Sequence, residues 1–281
     1  MTDADQRSLL RDVIAAKRPL LAVNINDQQD VGAAVEAAVQ RQMPIILMAS
    51  VRTIEYAGSS TIAQLVRSAR QQSSVPVWLQ LDHAHDMSMI ERCFESGFDI
   101  VMADFSAEPF DDNVRKVREV IGLARRVGGL VEGEVGALPD DGEGATQASL
   151  TSPEEAHAFA AQTGVDLLAV SVGNRHGFAR QKPALDLRRI RAIAEATTTP
   201  LVLHGGDFCT REEISAAMRA GMTKVNFGPE LREAYCLALR TTVAACDWQT
   251  PDHRPILLAA RVAVREAILC RFSDMDCEDV G

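Results

Sequence analysis

Three of the six histidines stand just beyond short apolar runs. His83 follows the run 77–81, His176 follows 167–172, and His204 follows 201–203. Three neutral imidazoles with an open fourth position form a catalytic zinc set, a borderline-soft donor group that suits zinc better than magnesium. Singly, each reads equally as a solvated loop histidine; at equivalent places in a repeating pattern, they read as ligands. Asp82, beside His83, reads as a proton carrier or as an orienter of that ring. Asp104 and Glu134 read as holders of a second or mobile cation, or as partners of nearby lysines and arginines. Asn24, Ser50 and Asn226 end other runs, where polar groups are hard to explain as packing. Gly177, Gly205 and Gly206 follow two of the histidines, and their amides could cradle a phosphate or simply make turns. His85 is either a loop residue or a buttress for a ligand. His157 and His253 read as ordinary helix and loop histidines.

These groups need elements that bring them together. The apolar runs are 20–25, 44–49, 77–81, 100–103, 130–135, 167–172, 201–203 and 224–227. Between them, apolar residues recur at helical spacing over 31–42, 61–72, 87–96, 113–127, 153–163, 187–196 and 211–220. Two more helical stretches follow, over 229–244 and over 255–272. Thr61 and Ser152-Pro153-Glu154-Glu155 look like helix starts, and Gly97, Gly128, Gly164 and Gly221 like helix stops. Strand-helix alternation predicts a buried parallel sheet. About eight such units predict a TIM (β/α)8 barrel with a C-terminal helical extension. An open doubly wound sheet is the competitor, but no G-x-G-x-x-G follows the first strand. In a barrel, the carboxyl ends of all eight strands surround one site. The irregular stretch 137–151, rich in Asp, Gly and Ser, reads as an active-site lid.

Composition agrees with a globular enzyme. The chain has 281 residues, 47% hydrophobic and 24% charged, with a net charge of −10. A barrel takes about 250 residues as one domain, so a single barrel domain over 1–281 is expected. No basic block offers a footprint for nucleic acid. No apolar run approaches the roughly 20 residues that span a bilayer. Cys93, Cys209, Cys236, Cys246, Cys270 and Cys277 include no C-x-x-C pair, which suits free thiols, and the polar start of the chain is no secretory signal. A cytoplasmic location is expected.

The residues that end the runs resemble those of the class II, metal-dependent fructose-bisphosphate and tagatose-bisphosphate aldolases. The resemblance spans nearly the whole chain. It is carried by Ala22-Val23-Asn24-Ile25, Leu81-Asp82-His83, Val101-Met102-Ala103-Asp104, Val131-Glu132-Gly133-Glu134-Val135-Gly136, Leu168 to Gly173 leading to His176-Gly177, Leu201-Val202-Leu203-His204-Gly205, and Lys224-Val225-Asn226. The tagatose-type branch looks most similar. The resemblance implies zinc on His83, His176 and His204, binding the oxygens of a ketose donor and stabilising its enediolate. It implies that Asp82 carries the proton, that Asn226 contacts the enediolate, and that Asp104 and Glu134 serve a secondary metal position. It also implies a sugar-like small-molecule substrate and a homodimer or homotetramer.

The departures from the family pattern cluster in one place. Where the family has a small residue, Ser and Gly after His204-Gly205, this chain has Gly206, Asp207 and Phe208. Where the family has a phosphate-contacting Thr, it has Pro229. Ahead of His176 stand Asn174 and Arg175, large and polar where the family is small. The acid that the family supplies from the loop after Glu134 would come from among Asp140, Asp141 and Glu143. The expectation is an aldolase-like lyase with a non-standard donor, Asp207 repelling a phosphate and Arg175 offsetting that charge or binding another anion. An ordinary bisphosphate aldolase, a metal-dependent hydrolase or isomerase, and a non-catalytic sugar or metal binder are the other readings.

Overall fold

Each apolar run becomes a strand, and the strands close into a ring in the computed structural model, which describes residues 3–136, 150–175, 185–246 and 252–275. Strands β1 (Leu20–Asn24), β2 (Ile45–Ser50), β3 (Val77–Ala84), β4 (Ile100–Ala103), β5 (Leu130–Val135), β6 (Leu167–Val170), β7 (Leu201–Leu203) and β8 (Met222–Phe227) pair in chain order. All pairings are parallel, and β8 returns to β1 with Leu20 opposite Lys224. Helix α1 (Asp3–Ala15) precedes β1, α2 (Gln28–Arg41) follows it, and α3 (Val51–Ala57) and α4 (Ser59–Gln72) follow β2. Then α5 (Met87–Ser96), α6 (Phe110–Val127), α7 (Pro153–Thr163), α8 (Leu187–Ala196) and α9 (Arg211–Ala220) follow β3 to β7 in turn. Helices α10 (Pro229–Ala244) and α11 (Arg254–Asp274) come after β8. This is the expected barrel with its helical extension.

Local chemistry sets the helix ends. Ser152 accepts the Glu155 N–H while Glu155 accepts the Ser152 N–H, and Pro153 opens α7 with its ring already at a helical φ. Gly97, Gly128, Gly164 and Gly221 close their helices with positive φ, as anticipated. The predicted start at Thr61 is corrected: α4 begins at Ser59 behind Gly58, without a side-chain cap. Helices α1 and α3 were not anticipated. The stretches 137–149 and 176–184 lie outside the described residues, and with them the lid reading, Asp140, Asp141, Glu143, His176 and Gly177.

Strand alternation divides the core into two. Leu20, Ala22, Ile46, Met48, Trp78, Ile100, Met102, Leu130, Leu167, Ala169 and Val202 fill the inside of the barrel, joined by Leu10, Val13 and Ile14 of α1. Helix α1 therefore plugs the amino-terminal end, where Trp78 Nε1 donates to the Gln6 carbonyl at 2.9 Å. The residues between those inward ones, such as Leu21, Leu47 and Val131, pack outward on the helices. The same inward rows, followed toward the carboxyl end, become Asn24, Ser50, Asp82, Asp104, Glu134, His204 and Asn226. An apolar floor thus lies beneath a polar mouth.

One strand breaks this rule to good effect. Leu81 pairs with Val101 but Ala84 with Ala103, so β3 carries one extra residue. At this bulge His83 has φ 49, a left-handed backbone rare for a residue with a Cβ. Strict alternation would turn His83 away from Asp82, and the bulge re-aims it into the mouth.

Helix α11 lies against α2 and α10 and buries Ile256, Ala260, Val264, Ile268 and Phe272, a row at four-residue spacing. No helix among the described residues is long and apolar enough to cross a membrane.

Candidate active site

The mouth is built around two imidazoles. His83 Nε2 and His204 Nδ1 lie 3.0 Å apart, their rings edge to face at 86°. The far nitrogen of each ring meets a carboxylate: His83 Nδ1 is 2.7 Å from Asp104 Oδ2, and His204 Nε2 is 3.1 Å from Glu132 Oε1. An ionised carboxylate only accepts, so each far nitrogen carries its ring's proton and each near nitrogen turns a lone pair inward. Two nitrogens facing each other this way share a cation, a proton on His83 when nothing else is bound or a metal ion in that proton's place.

Behind this pair the support is ionic and dry. Glu132 Oε2 accepts from Lys224 Nζ at 2.7 Å and from Gln80 Nε2 at 3.2 Å, all three wholly buried inside the barrel. On the other side, Ser106 Oγ donates to Asp104 at 2.7 Å, and His85 Nδ1 meets the Asp104 carbonyl, so His85 is a buttress. Asn24 Nδ2 donates to Asp82 Oδ2 at 2.9 Å. Asn226 Nδ2 lies 3.4 Å from His204 Nε2.

A pocket with this many carboxylates is short of positive charge, and the proton affinities of its groups are displaced accordingly. Removal from water alone would lower His83, but Asp82, the Asp104 hydrogen bond and Glu134 push it up to about 10. Burial, then the charge of Asp104, raises Glu134 to about 8. Burial would raise Asp104 too, yet the hydrogen bond and charge of His83 hold it far below the usual carboxylate range. Burial lowers His204 despite Glu132.

Those properties fit a divalent ion. Donor atoms of His83, Glu134 and His204 all lie within 4.8 Å of one another. Glu134 Oε2 is buried with no hydrogen-bond partner, as are Asp82 Oδ1 and Asn226 Oδ1. Unpaired buried oxygens around facing lone pairs are what a cation with its ligated substrate would satisfy. Glu134, expected at a secondary position, thus stands directly beside the two histidines.

The remaining expected residues are placed as follows. Ser50 caps α3 by accepting the Thr53 N–H and lines a 410 Å³ cavity beside Asp82 and His83. Gly205 has φ 69, and a Cβ there would stand 1.7 Å from the Arg175 carbonyl, so β6 and β7 ends meet only through a glycine. Asn174 ties the same ends by donating to the His204 carbonyl at 3.1 Å. Asp207 does not line an open anion pocket: its carboxylate accepts backbone N–H groups of Gly228 and Glu230.

The profile of the family described as fructose-bisphosphate aldolase class-II matches residues 4–280. The chain belongs to that family. Among solved structures, this class II family member is similar to the YdjI aldolase of Escherichia coli K12, with 25% identity, 97% of both chains covered and a TM-score of 0.84. A putative fructose-1,6-bisphosphate aldolase from Coccidioides immitis is 27% identical, with 97% of this chain and 95% of that one covered and a TM-score of 0.83. The fructose-bisphosphate aldolase of Campylobacter jejuni shares the fold at 18% identity, with a TM-score of 0.80 over 99% of this chain and 95% of that one.

Sequence reading missed several groups that the aldolase-family fold brings to the mouth. Glu132 and Lys224 stand in the sequence only as parts of the resemblance, with no role attached to either. Arg52 and Arg232 line the cavity with Ser50 and Asp82. Nothing local marks them, because α3 and the first turn of α10 become neighbours only when the barrel closes.

Proposed function

We propose that the chain is a metal-dependent aldolase-type carbon–carbon lyase, cleaving or forming a ketose or related hydroxy-carbonyl compound with a non-standard donor. The observation that supports it most is the pair of imidazole nitrogens 3.0 Å apart, each oriented by a carboxylate behind it. The ion proposed is zinc, on His83 and His204 with His176 as the third ligand, and Glu134 with Asp104 as a secondary position. A divalent ion held there supplies Lewis-acid polarisation of the donor carbonyl.

The chain's own residues do the rest. Asp82, fixed by Asn24 through one oxygen, has its other oxygen unpaired beside the cavity. In cleavage it takes the proton of the aldol hydroxyl, and in synthesis it returns that proton to the aldehyde oxygen. Asn226 orients the donor oxygens. Ser50, Arg175, Gly177 and Gly205 bound the substrate, and Arg52 and Arg232 suit an acceptor with an anionic group.

Retro-aldol assays on a panel of ketoses, with and without chelator, test this reading. Cleavage that chelation abolishes and zinc restores is the expected result; chelator-insensitive cleavage, or none on any ketose, overturns it. On fructose 1,6-bisphosphate and tagatose 1,6-bisphosphate, kcat/KM should fall below about 10⁴ M⁻¹s⁻¹, near the lower edge of ordinary enzymes. A higher value on either would return the chain to the ordinary bisphosphate aldolases.

Self-association and a cytoplasmic location belong to the same proposal. Leu237 and Val243 on α10 and Leu258 and Val262 on α11 are exposed on two helices that pack together. Light scattering at micromolar concentration should give a dimer or larger, and a monomer would remove this part. Cys93, Cys209, Cys236, Cys246 and Cys270 are free thiols, which suits a reducing compartment.

A further inference from the structure

Loops after the last strands of a barrel, with the helix N-terminus beside them, are where anions bind, because unpaired amides point there. In this chain that place is already taken. After β7 the chain turns at Gly205 into a 3-10 turn over Gly206–Phe208, which carries Asp207 across to the junction of β8 and α10. Asp207 Oδ1 accepts the N–H of Gly228 at 2.9 Å and that of Glu230 at 3.0 Å, and Oδ2 accepts from Gly228 at 3.1 Å. Pro229, between them, has no N–H to offer. One carboxylate thus engages the amides that open a 16-residue helix.

The junction borders the reactive groups. A Cβ on Gly228 would stand 2.2 Å from Asn24 Oδ1, and Asn24 is the residue that holds Asp82. The neighbours reinforce the plug. Arg271 of α11 pairs with Glu230 and with Asp274, and it donates to the backbone carbonyls of Cys209 at 3.4 Å and Asp207 at 3.5 Å. An arriving phosphate would meet the Asp207 and Glu230 carboxylates, and the Arg271 guanidinium beside them is already shared between Glu230 and Asp274.

We propose that Asp207 is a built-in anion that occupies the amide cradle of α10, making it the residue that selects a donor whose end is uncharged, a hydroxymethyl or methyl ketone in place of a phosphate ester. This inference rests on the aldolase reading for its word "donor", but the filled cradle stands apart from it. The Gly228 and Glu230 amides favour the charged carboxylate, and although burial pushes Asp207 up to about 6, it remains ionised at neutral pH.

The test has a binding arm and a reaction arm. Asp207→Gly and Asp207→Ser are compared with the parent protein by thermal melts in rising inorganic phosphate. The parent should show no more than the small rise that phosphate on the Arg52 and Arg232 side can give, whereas Asp207→Gly should melt lower and gain clearly more from millimolar phosphate; Asp207→Ser, which keeps an acceptor for one amide, covers the case where the glycine variant does not fold. Equal phosphate stabilisation of parent and variants overturns the proposal, since the site would then lie elsewhere. In the reaction arm, exchange of the donor's α-proton into D2O is followed for dihydroxyacetone and for its phosphate ester, which needs no acceptor. The parent should favour the unphosphorylated ketone, and the variants should shift the ratio toward the ester by about tenfold or more, as recovery of two anion-binding amides implies. A parent that favours the ester sinks the proposal. If neither donor exchanges while the melts behave as expected, the aldolase reading fails and the filled cradle survives.

Discussion

The His204→Ala protein should fold, lose its divalent ion and lose essentially all turnover. His204 is wholly buried and spans the site, one nitrogen on Glu132 and the other facing His83. Removing it leaves Glu132 with Lys224 and Gln80 still donating to it, so no buried charge is stranded and the barrel should survive. Lewis-acid catalysis contributes several kcal/mol to the transition state, so the loss should be about 10³-fold or more. Elemental analysis, circular dichroism and a retro-aldol assay read the three outcomes together. Stoichiometric zinc in a folded, inactive variant would remove His204 from the ligand set. Glu132→Gln is the informative companion, because it keeps a hydrogen-bond acceptor behind the imidazole. Because it also leaves the buried Lys224 without its counter-charge, it should melt well below the parent; in the folded fraction the expected effect is about a 10–100-fold loss of metal affinity, as for other groups that orient a ligand.

Asp82→Asn should separate proton transfer from metal binding. An asparagine oxygen can still accept from Asn24, so the side chain stays where it is and the ion stays bound. What disappears is a carboxylate able to take and return a proton, worth about 10²-fold or more in turnover. Metal content should match the parent, while kcat falls far more than KM rises. Turnover within a few-fold of the parent would reassign Asp82 to orienting His83, the role its position next to that ligand also permits.

The two variants probe the parts of the site that were legible in different degrees. Strands were easy to read because a strand covered on both faces must be a run of Val, Ile and Leu, and the polar residue that ends each run stands out against it. Asn24, Ser50, Asp104, His204 and Asn226 were all visible that way. Helix α1 was not, because its buried Leu10, Val13 and Ile14 are spaced among charges and gain meaning only once a barrel end needs closing. The seven-residue α3 is too short to show a period. Lys224 and Glu132 look like surface charges in a sequence, since nothing local says that the barrel centre will hold both and pair them. Asp207 was visible as a charge in an unusual place. Its meaning was not, because the amides it binds belong to residues more than twenty positions later. The bulge that turns His83 inward had one local sign, two reactive residues in succession where a strand can aim only one.

Closure of the ring has a further consequence for how the protein is made. β1 finds its second neighbour, β8, about two hundred residues later, and α11 comes back to lie on α2. During synthesis, β1 therefore waits with one edge unpaired while almost the whole polypeptide is still emerging. Contacts so distant in sequence form slowly, and an open strand edge is a template for the wrong partner. The interval between the emergence of β1 and that of β8 is the period in which this chain is most exposed to aggregation and most dependent on chaperones.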